Sequence, residues 1–245
     1  MNLQSVRYYF FKSLPFVFVL LLPIPLITSN VRLAFDSLTL YRYGFEQYSV
    51  KYTTGLDMDQ LMYVAEDIRD YFNSAKPLLD TEVLIGGDKV NLFNERETLH
   101  MKDVKTLVKR VHIMQICAGT LILAYVVLML IISGRRAVTD LLSQVLRSCL
   151  LTTMAVVILG VLFVIGFDQV FQGFHILSFE QGTWTFDPRY NYLTRLFTMG
   201  FFQDALFFVA ISVALQALLI SLGTILTRRL VRKYLPISTG VINPD

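Results

Sequence analysis

The stretch from residue 113 to residue 133, "IMQICAGTLILAYVVLMLIIS", decides the class of this protein because it contains no charged side chain. A helix needs about 20 consecutive apolar residues to cross the hydrocarbon core of a bilayer. Two further stretches, 149–167 and 206–226, meet the same requirement. The whole chain is 54% hydrophobic and only 17% charged, which lies outside the usual range of a soluble domain. The sequence therefore predicts an integral membrane protein.

A fourth candidate span lies near the N-terminus, at residues 13–30 ("SLPFVFVLLLPIPLITSN"). It follows Arg7 and Lys12, a positive flank that would also suit a secretory signal peptide. No A-x-A-like cleavage site follows it, so we interpret it as an uncleaved first span. The prolines in this stretch are expected to kink the helix.

Basic residues in short connections predict how the spans are oriented, because such residues are retained in the cytoplasm. They occur before the first span, between the second and third, and after the fourth: Arg7, Lys12, Arg135, Arg136, Arg147, Arg228, Arg229, Arg232 and Lys233. Both termini are therefore expected in the cytoplasm.

The predicted architecture is a mainly α membrane protein with four transmembrane helices and an extracellular cap. Residues 1–30 hold the first span, residues 31–111 form the cap, and residues 112–245 hold three further spans. An aromatic-rich outer connection at residues 168–203 completes the cap.

The first outer segment contains one clear helical pattern, at residues 57–74. Apolar residues recur there at helical spacing while acidic residues fill the other face, and Pro77 follows. This pattern predicts an amphipathic helix. The preceding stretch, residues 38–55, is rich in tyrosine and β-branched residues and permits a short strand or an irregular segment.

A turn at residues 86–88 ("GGD") precedes a second predicted helix that leads into the second span. His100 and Asp103 fall on one side of that helix, so the carboxylate can reach the imidazole. If the helix were straight, His100 would stand roughly 18 Å above the start of the span, at about 1.5 Å per residue. We therefore expect a bend near residues 109–110 that brings His100 to the membrane surface.

His175 lies in the second outer connection, within "FQGFHILSFEQGTW" (residues 171–184). Aromatic side chains collect at membrane interfaces, and an ionisable side chain among them is a candidate site residue. Interfacial anchoring is the alternative. The third histidine, His112, stands beside Arg110 and is expected to reach towards the lipid headgroups.

Several classes of function find no support in the sequence. There is no CxxC or HExxH spacing for a metal and no G-x-S-x-G nucleophile motif. The spans carry almost no ionisable residues, which argues against a transporter. We expect no cofactor, no metal and no nucleic-acid partner.

Four short motifs in the expected outer segments carry a resemblance. They are "LHMKDV" (99–104), "FHILSF" (174–179), "WTFDP" (184–188) and "FFQD" (201–204). In their order relative to the four spans, they resemble the lipoprotein intramolecular transacylase (Lit) family of Gram-positive bacteria. That resemblance implies four transmembrane helices, an extracellular cap, and two catalytic histidines at the boundary between cap and membrane.

The resemblance implies that His100 and His175 are the catalytic pair. The implied reaction moves the sn-2 acyl chain of a diacylglyceryl-modified N-terminal cysteine onto the α-amino group of that cysteine, giving a lyso-form lipoprotein. Histidine titrates in the right range for such proton transfers. We assign His100 as the base, with Asp103 as a supporting residue, and His175 as the acid, although the two roles could be reversed.

The resemblance also implies a substrate pocket with aromatic walls, which we assign to Phe174, Phe179 and Trp184. The implied partners are a diacylated bacterial lipoprotein and membrane lipids, and the oligomeric state is open. Two other functions remain as alternatives. One is a non-catalytic lipoprotein-binding or escort protein, and the other is a membrane lipid hydrolase.

Overall fold

A computed structural model describes the backbone of residues 3–180 and 182–234, and the side chains of residues 12–180 and 182–234. Parts of two predicted segments, residues 1–2 and 235–245, lie outside the described residues. Within the described chain, four helical stretches are long and apolar enough to cross a membrane: Lys12–Asp36, Glu95–Ser133, Arg135–Ser178 and Met199–Tyr234. The predicted class and the four spans are confirmed.

The first span consists of two helices, α1 (Leu3–Leu21) and α2 (Pro23–Asp36). The break falls at the predicted prolines, since Pro23 has no N–H to donate to the carbonyl four residues earlier. That carbonyl belongs to Val19, and the Ser148 hydroxyl donates to it instead, at 3.0 Å. A side chain from another helix thus satisfies the backbone group that the proline leaves free.

Two compact units can be distinguished. The described residues of the first are mainly apolar helix segments: 3–28, 114–157 and 211–234. Ser148 is fully buried in this unit. The Phe18 and Tyr125 rings pack with their centroids 5.1 Å apart. Ring packing and the Ser148 hydrogen bond therefore join the first span to its neighbours.

The second unit comprises residues 29–113 and 158–210. Its helices and strands are α3 (Leu38–Gln47), α4 (Val50–Thr54), α5 (Met58–Asn73), β1 (Glu82–Ile85), β2 (Asp88–Asn91) and α8 (Tyr192–Leu196). The long helices α6 (Glu95–Ser133), α7 (Arg135–Ser178) and α9 (Met199–Tyr234) contribute one end each.

The predicted amphipathic helix is α5. The Asp57 carboxylate caps its start by accepting a hydrogen bond from the Gln60 N–H at 2.9 Å. Its apolar face is buried in the core of the second unit, with Leu61, Val64, Ala65, Ile68 and Tyr71 almost inaccessible. The helix therefore stabilises this unit through burial of one face.

The expectation for residues 38–55 was wrong, because this stretch forms α3 and α4. Ser37 caps α3 by accepting a hydrogen bond from the Leu40 N–H. The buried residues of α3 are Leu40, Tyr41, Gly44 and Phe45, a helical spacing. Periodicity therefore outweighed the strand preference of the tyrosine and β-branched side chains.

The predicted turn at residues 86–88 is confirmed, but the antiparallel strands that it joins, β1 and β2, were not predicted. Gly86 and Gly87 have φ values of 66° and 98°. A two-residue hairpin turn needs such positive φ values, and glycine adopts them at little cost.

The expected bend near residues 109–110 was also wrong, since α6 is a single helix from Glu95 to Ser133. The interruption occurs in α7 instead, where Gly166 has non-helical dihedral angles (φ −152°, ψ 57°). Helix α7 then continues to Ser178, so the predicted outer connection at 168–203 begins as helix and includes His175.

Two glycines allow α3 and the start of α9 to approach closely. A methyl group added at Gly44 would overlap the Phe201 ring, and one added at Gly200 would overlap the Tyr48 ring. The Tyr48 hydroxyl donates to the Asp204 carboxylate at 2.6 Å. The contact between these helices therefore depends on small residues and one short hydrogen bond.

The substitution Gly44→Ala should destabilise the protein, by about 1–3 kcal/mol, because it overpacks this contact. Gly119→Ala is the matched control, since Gly119 is also helical and has open space around the added methyl. Both substitutions gain the same helix propensity of about 0.5–1 kcal/mol. Thermal unfolding in detergent should give a lower Tm for Gly44→Ala only. Equal Tm values would contradict the close approach.

Candidate active site

The two histidines singled out by the sequence lie together in the second unit. His100 belongs to α6 and His175 to α7, and their ring centroids are 6.4 Å apart with the ring planes 19° from parallel. Each side chain is 9% exposed. At this separation, one reacting group can come within hydrogen-bonding distance of both rings.

The three aromatic residues assigned to the pocket all contact a histidine. The Phe179 ring centroid is 4.9 Å from that of His100 and 5.5 Å from that of His175. The rings of Trp184 and Phe174 lie 4.9 Å and 5.3 Å from the His175 ring. The imidazoles therefore stand in an aromatic enclosure.

Two further aromatic contacts were missed in the sequence. Phe171 packs on His175 with centroids 4.1 Å apart, and Phe186 packs on His100 at 5.3 Å. Phe171 was predictable, because it precedes His175 by four residues on the same helix. Phe186 lies in an irregular segment, where no periodicity indicates which side chains point inward.

A backbone hydrogen bond determines the tautomer of His175. Its Nδ1 lies 2.7 Å from the Phe171 carbonyl oxygen. A carbonyl can only accept a hydrogen bond, so Nδ1 carries the proton. The neutral ring therefore keeps its lone pair on Nε2, where it can accept a proton.

Burial keeps both histidines neutral near pH 7. They lie outside the apolar stretches 113–133 and 149–167. Burial, with a smaller effect of nearby His175, lowers the pKa of His100 from 6.5 to about 4. Burial also lowers the pKa of His175, while the hydrogen bond to Phe171 acts in the opposite direction. His175 is thus held in one tautomer and supported as a base by that carbonyl.

The expected hydrogen bond between His100 and Asp103 does not form. His100 Nδ1 is buried and has no hydrogen-bond partner in the described part of the chain. Asp103 is exposed. Burial raises the pKa of Tyr71, and the negative charge of Asp103 adds a smaller effect in the same direction. The His100 ring instead faces the aromatic rings of Phe179 and Phe186, which leaves its Nδ1 without a partner.

A buried carboxylate that the sequence analysis missed positions the start of α6. Glu97 accepts hydrogen bonds from the Asn94 N–H at 3.0 Å and from the Leu193 N–H at 2.8 Å. The Asn94 side chain accepts from the Glu97 N–H in return, which is a capping box. The signal was present as "NERE" at residues 94–97. Glu97 thus ties α6 to α8 one turn before His100.

A cavity of about 540 Å³ lies near His100. It is lined by Asn94, Glu95, Arg96, Thr185, Phe186, Asp187, Tyr190 and Asn191. Phe186 is the residue that both lines this cavity and packs on His100. Neither histidine is among the residues that line this cavity. Among the described residues, no cluster of His, Cys, Asp or Glu could hold a metal ion.

Residues 16–202 match the family model for the lipoprotein intramolecular transacylase Lit. This match covers more than half of the chain and includes both histidines. The chain belongs to the lipoprotein intramolecular transacylase family. It is therefore an acyltransferase of the membrane that acts on a lipoprotein, as the resemblance implied. No curated protein matches the chain.

Solved structures share the fold of this chain. The membrane-integral transacylase Lit from Bacillus cereus, determined in meso, has a TM-score of 0.74 and 16% sequence identity over 91% of this chain and 96% of that one. A variant of that protein with one histidine replaced by alanine has a TM-score of 0.74 and 14% identity over 95% of this chain and 98% of that one. The membrane fold is thus shared although few residues are identical.

Acidification should destabilise the protein through His100. Its folded-state pKa is about 4, whereas an unfolded histidine titrates near 6.5, so the unfolded state binds more protons between these values. Stability is therefore expected to fall as the pH decreases below about 6.5.

The variant His100→Gln does not titrate and should lose less stability over the same range. The free energy of unfolding is measured by thermal unfolding at about pH 7.5 and about pH 5. Between these two values, the natural protein should lose on the order of 1 kcal/mol more than the variant. An identical pH dependence would show that His100 is not a buried neutral group.

Proposed function

We propose that this protein transfers the sn-2 acyl chain of a diacylglyceryl-cysteine lipoprotein to the α-amino group of the same cysteine, giving a lyso-form lipoprotein. The observation that supports this most is the pair of buried neutral imidazoles, His100 and His175, inside an aromatic enclosure. The ester C–O bond breaks and an amide C–N bond forms. At neutral pH the reacting ammonium group loses two protons, of which one remains on the glyceryl hydroxyl and one is released.

Two proton-handling groups suit this reaction. The amine is mostly protonated at neutral pH, so a base must remove a proton before the nitrogen can attack. The glyceryl alkoxide is a poor leaving group until it is protonated, and the tetrahedral intermediate carries a negative oxygen that needs a donor. A base that returns its proton to the leaving oxygen and a donor that stabilises the negative oxygen supply these functions.

We assign His175 as the base and His100 as the donor, which reverses the assignment made from the sequence. The Phe171 carbonyl leaves the lone pair on Nε2 of His175 and stabilises the imidazolium that forms. The low pKa of His100, about 4, makes it a poor base near neutral pH. A neutral imidazole can still donate a hydrogen bond to developing negative charge. It keeps its proton, so the imidazolium formed on His175 passes the proton taken from the amine to the departing glyceryl oxygen.

The substrate provides both the acyl donor and the acceptor, so no covalent enzyme intermediate is required. The path from nitrogen to acyl carbon runs through Cα, Cβ, sulfur, two glyceryl carbons and the ester oxygen. Holding this path in a ring-like conformation can contribute several kcal/mol through effective molarity. The rings of Phe174, Phe179 and Trp184 also exclude water, which protects the ester from hydrolysis.

Mass spectrometry of a synthetic diacylated lipopeptide tests this proposal. Wild-type protein should move one acyl chain to the amine without changing the total mass, and His100→Ala and His175→Ala should slow the reaction at least about 10²-fold. His112→Ala is the control, because that histidine contacts Arg32 rather than the site. Loss of one acyl mass would indicate a hydrolase instead. An unchanged but bound substrate would indicate an escort protein.

The glutamine variants test the order of the two roles. Glutamine can donate a hydrogen bond but cannot take up a proton in this pH range. His100→Gln should therefore retain more activity than His175→Gln in the same assay. The opposite order would restore His100 as the base.

We also propose that residues 31–111 and the outer connection at residues 168–203 form an extracellular cap and that both termini are cytoplasmic. The basic residues of the short connections support this orientation. In a variant that lacks the exposed Cys117, Tyr52→Cys should react with a membrane-impermeant maleimide in intact cells. Arg136→Cys should react only after lysis. The reverse pattern would contradict the orientation.

A further inference from the structure

Trp184 has a buried donor with nothing to bind. Its Nε1 atom is inaccessible and makes no hydrogen bond within the described part of the chain. The indole N–H can only donate, and a buried tryptophan usually finds an acceptor. Leaving such a group unpaired costs about 1–3 kcal/mol. The unpaired N–H of Trp184 therefore lowers the stability of the free protein.

This donor lies beside the candidate base. The Trp184 ring centroid is 4.9 Å from that of His175, with the ring planes inclined by 37°. A substrate that reaches the Nε2 lone pair of His175 thus comes close to the indole. In the free protein no acceptor occupies that place among the described residues, so the N–H is available when a substrate oxygen arrives.

The segment that carries Trp184 is anchored on both sides. Arg96 of α6 donates to the Gly182 carbonyl at 2.9 Å and to the Thr185 carbonyl at 3.4 Å. The Arg96 guanidinium also lies 5.8 Å from the centre of the Phe186 ring. These contacts hold the segment against the helix that carries His100. The indole is therefore positioned before the substrate binds, as electrostatic catalysis requires.

We propose that Trp184 is a catalytic residue whose Nε1–H donates a hydrogen bond to the sn-2 carbonyl oxygen as that oxygen becomes negative. The N–H bond stays intact, so the residue transfers no proton and adds nothing to the balance of the reaction. The hydrogen bond strengthens as charge develops, which stabilises the transition state more than the bound ester. This inference rests on the proposed transacylase reaction and adds a second donor beside His100.

An isosteric replacement tests the N–H separately from the ring. Trp184 is the only tryptophan in the chain, so expression in a tryptophan auxotroph replaces this side chain alone. Benzothienylalanine keeps the shape and replaces the N–H with sulfur. A fluorinated tryptophan that keeps the N–H is the matched control. The assay is the single-turnover conversion of a saturating diacylated lipopeptide, together with Tm.

We expect the replacement to lower the single-turnover rate without lowering Tm. With benzothienylalanine the rate should fall about 10²- to 10³-fold, as for loss of one oxyanion donor. Tm should stay the same or rise, because an unpaired buried donor has been removed. The control should match the natural protein in both measurements.

Two results would overturn the proposal. Full activity with benzothienylalanine would make Trp184 a pocket wall only, and a parallel fall of rate and Tm would make the N–H a structural group. Failure of the proposed function itself would be seen with the natural protein, which would then not move the acyl chain of the lipopeptide at all.

Discussion

The Glu97 carboxylate holds together the two helix starts on which the candidate site depends. It accepts from the N–H of Asn94 at the start of α6 and from the N–H of Leu193 in α8, and it is only 1% exposed. Both N–H groups would otherwise lack a partner at a helix terminus. Arg96 precedes this carboxylate and binds the segment that carries Trp184, while His100 follows one turn later. The first turns of α6 therefore position one histidine and the segment that packs on the other.

The chemistry of the site follows from burial among aromatic rings. An apolar environment disfavours the charged imidazolium, so both histidines are neutral and one can take a proton while the other donates a hydrogen bond. The same environment leaves His100 Nδ1 and Trp184 Nε1 without partners, a cost that a bound substrate can offset. Leaving a buried donor or acceptor unpaired costs free energy. The site is therefore less stable in the free protein than its apolar surroundings suggest.

The spans and the amphipathic helix α5 could be predicted from sequence. The resemblance also singled out a set of residues that the structure brings together: His100, His175, Phe174, Phe179 and Trp184. Hydropathy and helical periodicity are local signals, and the histidines stood in motifs that resemble a known family. The role of Asp103 could not be predicted, because spacing on a helix says nothing about which way the imidazole turns. The tautomer of His175 depends on a backbone carbonyl, which every residue has and no pattern of side chains reveals. Residues 38–55 were misjudged because composition was weighed above periodicity.

The most direct test of this account is a crystal structure with a non-reactive substrate analogue, a diacylglyceryl-cysteine peptide whose sn-2 ester is replaced by an amide. We predict that the cysteine α-amino nitrogen lies within about 3.2 Å of His175 Nε2 and that the sn-2 carbonyl oxygen lies at a similar distance from a nitrogen of His100. An analogue bound in the second unit with its sn-2 carbonyl far from both rings would contradict the claim that the two histidines perform the transfer.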